Sequence, residues 1–250
     1  MTESEWLNAT DPRKMLGFLR GKASGRKLRL YACACCHRIG HLFKDDRSRH
    51  AVAFAERYAN VGLRGRRNRR IIWREAAAAL QAAIAASRTC NDSTQYGLSM
   101  IDVDATHAAQ RIVEGDDWGS VIASSQAAAD AAAWARMTSA PTRGEGDYLD
   151  SWTACRRAEY EQQAALLRDI IGRLPFRTMD LDPRWLTWQN STIPKLAQTI
   201  YDDRAFNRLP ILADAVEEAG CSDADLLGHL RGPVPHVRGC WAVDLILGRE

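Results

Sequence analysis

Apolar residues return at every third or fourth position along most of the chain and nowhere alternate for long, which predicts helices and no sheet. Behind Ser24, a candidate helix cap, Leu28, Ala32, Cys35, Ile39 and Leu42 form one stripe. Val52, Ala55 and Ala59 form another before Gly62. Start signals agree. Thr2 with Glu5 is a capping box, and Asp11-Pro12 is a cap with proline at the first helical position, leading Met15, Leu16 and Leu19 to a stop at Gly21. The stretch from Ile71 to Arg88 is rich in alanine, which favours helix and lets neighbouring helices approach closely.

Asn91 to Val103 reads as a loop with an extended piece. Asp104 then caps a helix ending at Gly115, and Asp116 or Asp117 opens another through Ala127 to Ala133. Residues 141–147 have the composition of a linker. A long helix follows through Trp152 and Leu166 to Ile171, stopping at Gly172, and Leu174 to Leu181 reads as extended. Asp182-Pro183, Pro194 and Pro210 open helices, the last of them stopping at Gly220. Ser222 with Asp225 is a second capping box, and His236 to Leu247 is the closing helix. The expectation is an all-α fold, a multi-helix bundle with C-terminal helical hairpins. Its parts are residues 1–140 and 147–250, which are able to pack as one domain.

Composition narrows the class. The 250 residues are 46% hydrophobic and 26% charged, which excludes a disordered chain and a small disulfide scaffold. A formal net charge of +3 is too near balance for a chain wholly devoted to nucleic acid. The acidic N-terminus lacks the pattern of a secretory signal, and no apolar run is long enough to span a membrane. Seven cysteines, three of them at Cys33, Cys35 and Cys36, suit reduced thiols and a cytoplasmic protein.

Several constellations bear on chemistry. Cys33, His37 and His41 lie four apart in turn, and His236 and Cys240 repeat that spacing, with Cys221 and His229 upstream. Residues four apart on a helix can share one ion, so two such pairs brought together would make a zinc site. The competing reading is cysteines as small core hydrophobes, with no cofactor at all. Arg64, Arg66, Arg67, Arg69, Arg70 and Arg74, with Trp73 among them, could neutralise phosphates while the indole stacks on a base. A solvated loop and helix start, with Glu56 and Glu75 offsetting some of the charge, is the favoured reading of them. Gly17 to Ser24 lacks the spacing of a nucleotide-binding loop, and no nucleophile elbow or His-Glu-x-x-His pair occurs. No catalytic residue is named, and the reading leans away from an enzyme. Trp185 and Trp188, with Arg231, Arg238 and Trp241, form a candidate interaction surface.

The runs LLRDII (166–171), IYDDRAFNRLPILADAVEEAGC (200–221) and HVRGCWAVDLILG (236–248), with EWLNATDPRKMLGFLRGKAS near the start, resemble a family of uncharacterised bacterial proteins. The resemblance covers both ends, more loosely residues 60–146, and implies no activity. Leu212 to Gly220 followed by Ala224 to Leu226 is similar to a short domain found beside repeat proteins, which implies an interaction module. The expected function is therefore binding of another protein as a scaffold or regulator, away from any membrane. Nucleic-acid binding through Arg64 to Arg74 is the second reading, and a small structural zinc protein the third.

Overall fold

The computed structural model is all-α. It describes residues 1–61, 93–114, 118–139, 148–172, 181–233 and 235–249, with single positions at 70, 73, 74, 77, 78, 80, 81, 176 and 177. Among the described residues there are eleven α-helices, two short 3-10 turns and no strand. No helix there is long and apolar enough to cross a membrane. Two compact units part at Ala165, and the linker-like stretch 141–147 lies outside the described residues together with most of 62–92. One unit is Asn8–Ala164; the other joins Met1–Leu7 to Ala165–Glu250.

The larger unit contains α2 (Pro12–Leu19), α3 (Gly25–Arg38), α4 (Asp46–Val61), α5 (Ser93–Glu114), α6 (Trp118–Ser139) and the first part of α7 (Tyr148–Ile171). Asp11 and Ser24 cap α2 and α3 as their sequence context predicts. The helix behind Ser24 falls short of its expected length: α3 ends at Arg38, and Gly40–Leu42 is a 3-10 turn. Residues 93–103, expected as a loop, are helical, and Asp104 sits inside α5 instead of capping it. Ile101, Ala105, Ala108 and Ile112 are all buried, and this stripe carries the helix back through its Ser, Thr and Gly positions. Alanine lets α5 and α6 lie close together, and Ser124 Oγ donates across to the Ala108 carbonyl at 2.9 Å. Glu159 is buried and receives Arg38 at 2.6 and 3.0 Å and Arg136 at 3.2 Å, so its charge is paired.

One carboxyl in this unit is costly. Burial, with Asp130 nearby, pushes Asp104 up to about 7 from an ordinary 3.8. The unfolded chain gives up this proton first, so the folded state loses stability as pH rises from about 4 to 7, and the penalty is complete above 7. Asp104→Asn removes the ionisation. Urea denaturation is expected to find the variant gaining on wild type between pH 5 and pH 8, with equal gains at both pH values counting against this account.

The smaller unit contains α1 (Glu3–Asn8, its last residue beyond the boundary), the end of α7, α8 (Pro183–Asp203), α9 (Leu209–Glu218), α10 (Ala224–Arg231) and α11 (Trp241–Ile246). The α1 capping box forms as read, with Glu5 N to Thr2 Oγ1 at 3.2 Å and Thr2 N to Glu5 Oε2 at 2.7 Å. Helix α8 is interrupted at Trp188–Ser191, where three non-glycine residues take left-handed backbone, and it resumes around Pro194. α9 packs on both α8 and α10, and α11 packs on α8, enclosing Ile193, Ile200, Leu209, Leu212, Val216 and Leu226. Asp223, not Ser222, caps α10, accepting from Asp225 N and Leu226 N. The closing helix is also shorter than expected: 236–240 is non-helical and α11 begins at Trp241.

Candidate metal centre

Near the end of α7, Leu166, Leu167, Ile170 and Ile171 make an apolar face, and Asp169 lies on the same face, fully buried. An ionised carboxylate there needs partners, because leaving it alone out of water is prohibitive. Its partners come from sixty residues and more downstream. His229 stands in the last turn of α10; the chain then leaves the helix through Gly232 and Pro233, and His236 follows in irregular backbone. Gly239, in positive-φ backbone, turns the chain so that Cys240 becomes the residue before α11.

Four side-chain atoms converge. Asp169 Oδ1 is 2.7 Å from His236 Nδ1 and 3.2 Å from His229 Nε2. Cys240 Sγ is 3.2 Å from His229 Nε2 and 3.8 Å from His236 Nδ1. All four lie within 4.8 Å of one another. Atoms bound to one tetrahedral zinc stand about 3.3 Å (N to O) to 3.6 Å (N to S) apart, so the group is close to the size of such a shell. The other carboxylate oxygen, Oδ2, accepts from the Val237 backbone N–H at 2.9 Å, which orients Asp169 and leaves Oδ1 facing the cluster.

Electrostatics fit the same picture. Burial works to raise the Asp169 pKa, but hydrogen bonds from His229 and His236 and their charge outweigh it, so the carboxyl stays below 3.8. Burial, reinforced by the charge of Asp169, pushes the Cys240 thiol well up, while the amides of Val243 and Ala242 hydrogen-bond the sulfur and favour its thiolate. A divalent cation would reverse the balance at the sulfur, since a coordinating thiol deprotonates. Thiolate and carboxylate would then cancel the ion's two charges, leaving a neutral buried centre with two neutral imidazoles.

A nucleophilic relay does not fit. A Cys-His-Asp relay uses one ring nitrogen for sulfur and the other for the carboxylate. Here Asp169 and Cys240 meet the same nitrogen, Nε2 of His229, and again the same nitrogen, Nδ1 of His236. Cys240 is also fully buried with a raised pKa, the opposite of a reactive thiol. Convergence on one nitrogen per ring is what an ion requires.

Three of the seven metal-ligand candidates from sequence thus meet: His229, His236 and Cys240. The reason differs from the helical i, i+4 argument, since 236–240 is not helix. Cys221 is buried in the same unit outside the cluster, and burial raises its thiol pKa. Cys33, His37 and His41 belong to the other unit: Cys33 is core, His37 pairs with Glu56 at 3.3 Å, and His41 is exposed. Asp169 was missed. Its signal was a carboxylate set within a greasy helical face.

The remaining candidates are placed as follows. Trp185 is core, and Trp188 and Trp241 pack against that core. Arg231 pairs with Asp214 and Glu217, both at 2.6 Å, and Arg238 donates to the carbonyls of Tyr201 and Asp202. Arg64, Arg66, Arg67 and Arg69 lie outside the described residues, while Arg70 and Arg74 are exposed. No family model, curated protein or solved structure matches the chain, so the chemistry of this centre rests on its own residues.

Proposed function

We propose that the chain is a zinc-stabilised helical protein, with one ion held by Asp169, His229, His236 and Cys240 in a structural role. The carrying observation is the convergence of one nitrogen from each imidazole with the sulfur and a single carboxylate oxygen. Four protein ligands close a tetrahedral shell and leave no position for substrate, which favours a structural ion over a catalytic one. A mixed nitrogen, sulfur and oxygen set suits zinc and disfavours magnesium and calcium. This reading also implies a reducing compartment such as the cytoplasm, where the Cys240 thiol stays available.

Protein binding through Trp185, Trp188, Arg231, Arg238 and Trp241 ranks below it, because those side chains are engaged within their own unit. Nucleic-acid binding keeps only the exposed Arg70 and Arg74 as described support.

Elemental analysis of tag-free protein tests the proposal. About one zinc per chain is expected, with Asp169→Ala and Cys240→Ala each losing it. Replacement by cobalt should give a thiolate charge-transfer band that Cys240→Ser alters. Zinc well below stoichiometry after growth in zinc-replete medium, together with no uptake by the purified chain, would sink the reading.

A further inference from the structure

The centre lies beside the seat of the chain's first helix, and several anchors of that helix are borne by, or tied to, elements that also bear a ligand. Trp6 is fully buried, and its indole N–H donates to the Gly172 carbonyl at 3.0 Å, three residues beyond Asp169. Arg168, next to Asp169, reaches the Trp6 carbonyl at 3.4 Å. Gly172 in turn lies flat against Trp241, the residue after Cys240: a Cβ added at Gly172 would stand 2.6 Å from Trp241 Cγ. The Trp241 ring is 4.9 Å from the His229 ring. On the other flank Arg177 joins Glu3 of α1 at 3.2 Å to Asp225 at 3.7 Å, and Asp225 is one turn before His229 on α10.

Resting on the zinc reading above, we infer that metal loading and docking of α1 are one coupled event, so that the ion controls whether residues 1–7 are seated. The ion fixes the end of α7, α10 and the start of α11 relative to one another. The end of α7 supplies the carbonyl that holds Trp6, α11 supplies the indole packed on Gly172, and α10 supplies the acid to which Arg177 ties Glu3. A shift of about 1 Å among them lengthens the Trp6 hydrogen bond beyond useful range. Coupling between two binding events is reciprocal, so a loosened α1 must weaken the metal.

The full chain is stripped of metal and its amide hydrogen exchange is followed with and without one equivalent of zinc chloride. Zinc is expected to slow exchange in α1 by at least tenfold, and by less in α4, which belongs to the larger unit. Zinc affinity is then measured by competition with a chromogenic chelator. Trp6→Phe keeps an apolar ring but removes the donor to Gly172, and is expected to weaken binding by about fivefold or more, within the usual span of coupling between sites. One zinc bound with α1 exchange unchanged, or unaltered affinity in Trp6→Phe, overturns the coupling and leaves the zinc reading standing. No zinc bound by the wild-type chain overturns both.

Discussion

If the centre holds zinc as proposed, stripping it with a strong chelator is expected to lower the thermal midpoint of the smaller unit by about 15 to 30 °C, and added zinc should restore it. A ligand that binds only the folded state stabilises it by RT ln(1 + [L]/Kd), which is about 4 kcal/mol at a free concentration a thousand times Kd. For a unit of roughly this size each kcal/mol is worth about 4 to 8 °C. The loss is large because of what remains behind. Without the cation, Oδ1 of Asp169 is left as the shared acceptor for His229, His236 and the Cys240 thiol, in a largely buried site. Differential scanning calorimetry with and without chelator is the measurement. An unchanged midpoint, with the metal shown to be gone, would remove the structural role assigned to the ion.

Gly172→Ala is expected to destabilise the same unit by about 2 to 4 kcal/mol and to weaken zinc binding, although residue 172 touches no ligand atom. Two costs add. The backbone at Gly172 has φ +67°, a left-handed conformation that a Cβ penalises by about 1 kcal/mol. The new methyl would also stand 2.6 Å from Cγ and 2.9 Å from two further ring atoms of Trp241, and overpacking of this kind costs about 1 to 3 kcal/mol. Relief requires the indole to move, and it is the ring beside His229. Chemical denaturation gives the first quantity and chelator competition the second. A variant with wild-type stability would mean that the helix stop at Gly172 is not tied to the centre.

The two effects share a cause that the sequence only half exposes. Helices were legible because their signals are local: Asp11, Ser24 and Asp182 cap where they stand, and Gly172 and Gly220 stop helices in left-handed backbone. Local signals misled where packing dominated. Ser93 to Val103 looks too polar for a helix, yet the buried stripe from Ile101 to Ile112 holds it. His229, His236 and Cys240 were legible as donor types, and the spacing of His236 and Cys240 suggested a shared helix that does not exist. What joins them is a turn at Gly239 and a carboxylate sixty residues earlier, and only the carboxylate, set among apolar residues on a helical face, leaves a trace in the sequence. Asp169 looks like an ordinary charged residue until the helix is drawn and its neighbours prove to be Leu166, Leu167 and Ile170.

The smaller unit is built from the first residues of the chain and the last. A ribosome delivers its pieces far apart in time, so Trp6 is made long before the residues that will cover it, and Asp169 before either imidazole. During translation residues 8–164 can fold as soon as they are out, while the opening segment waits. Closure comes only when Cys240 appears, well after residues 8–164 are complete.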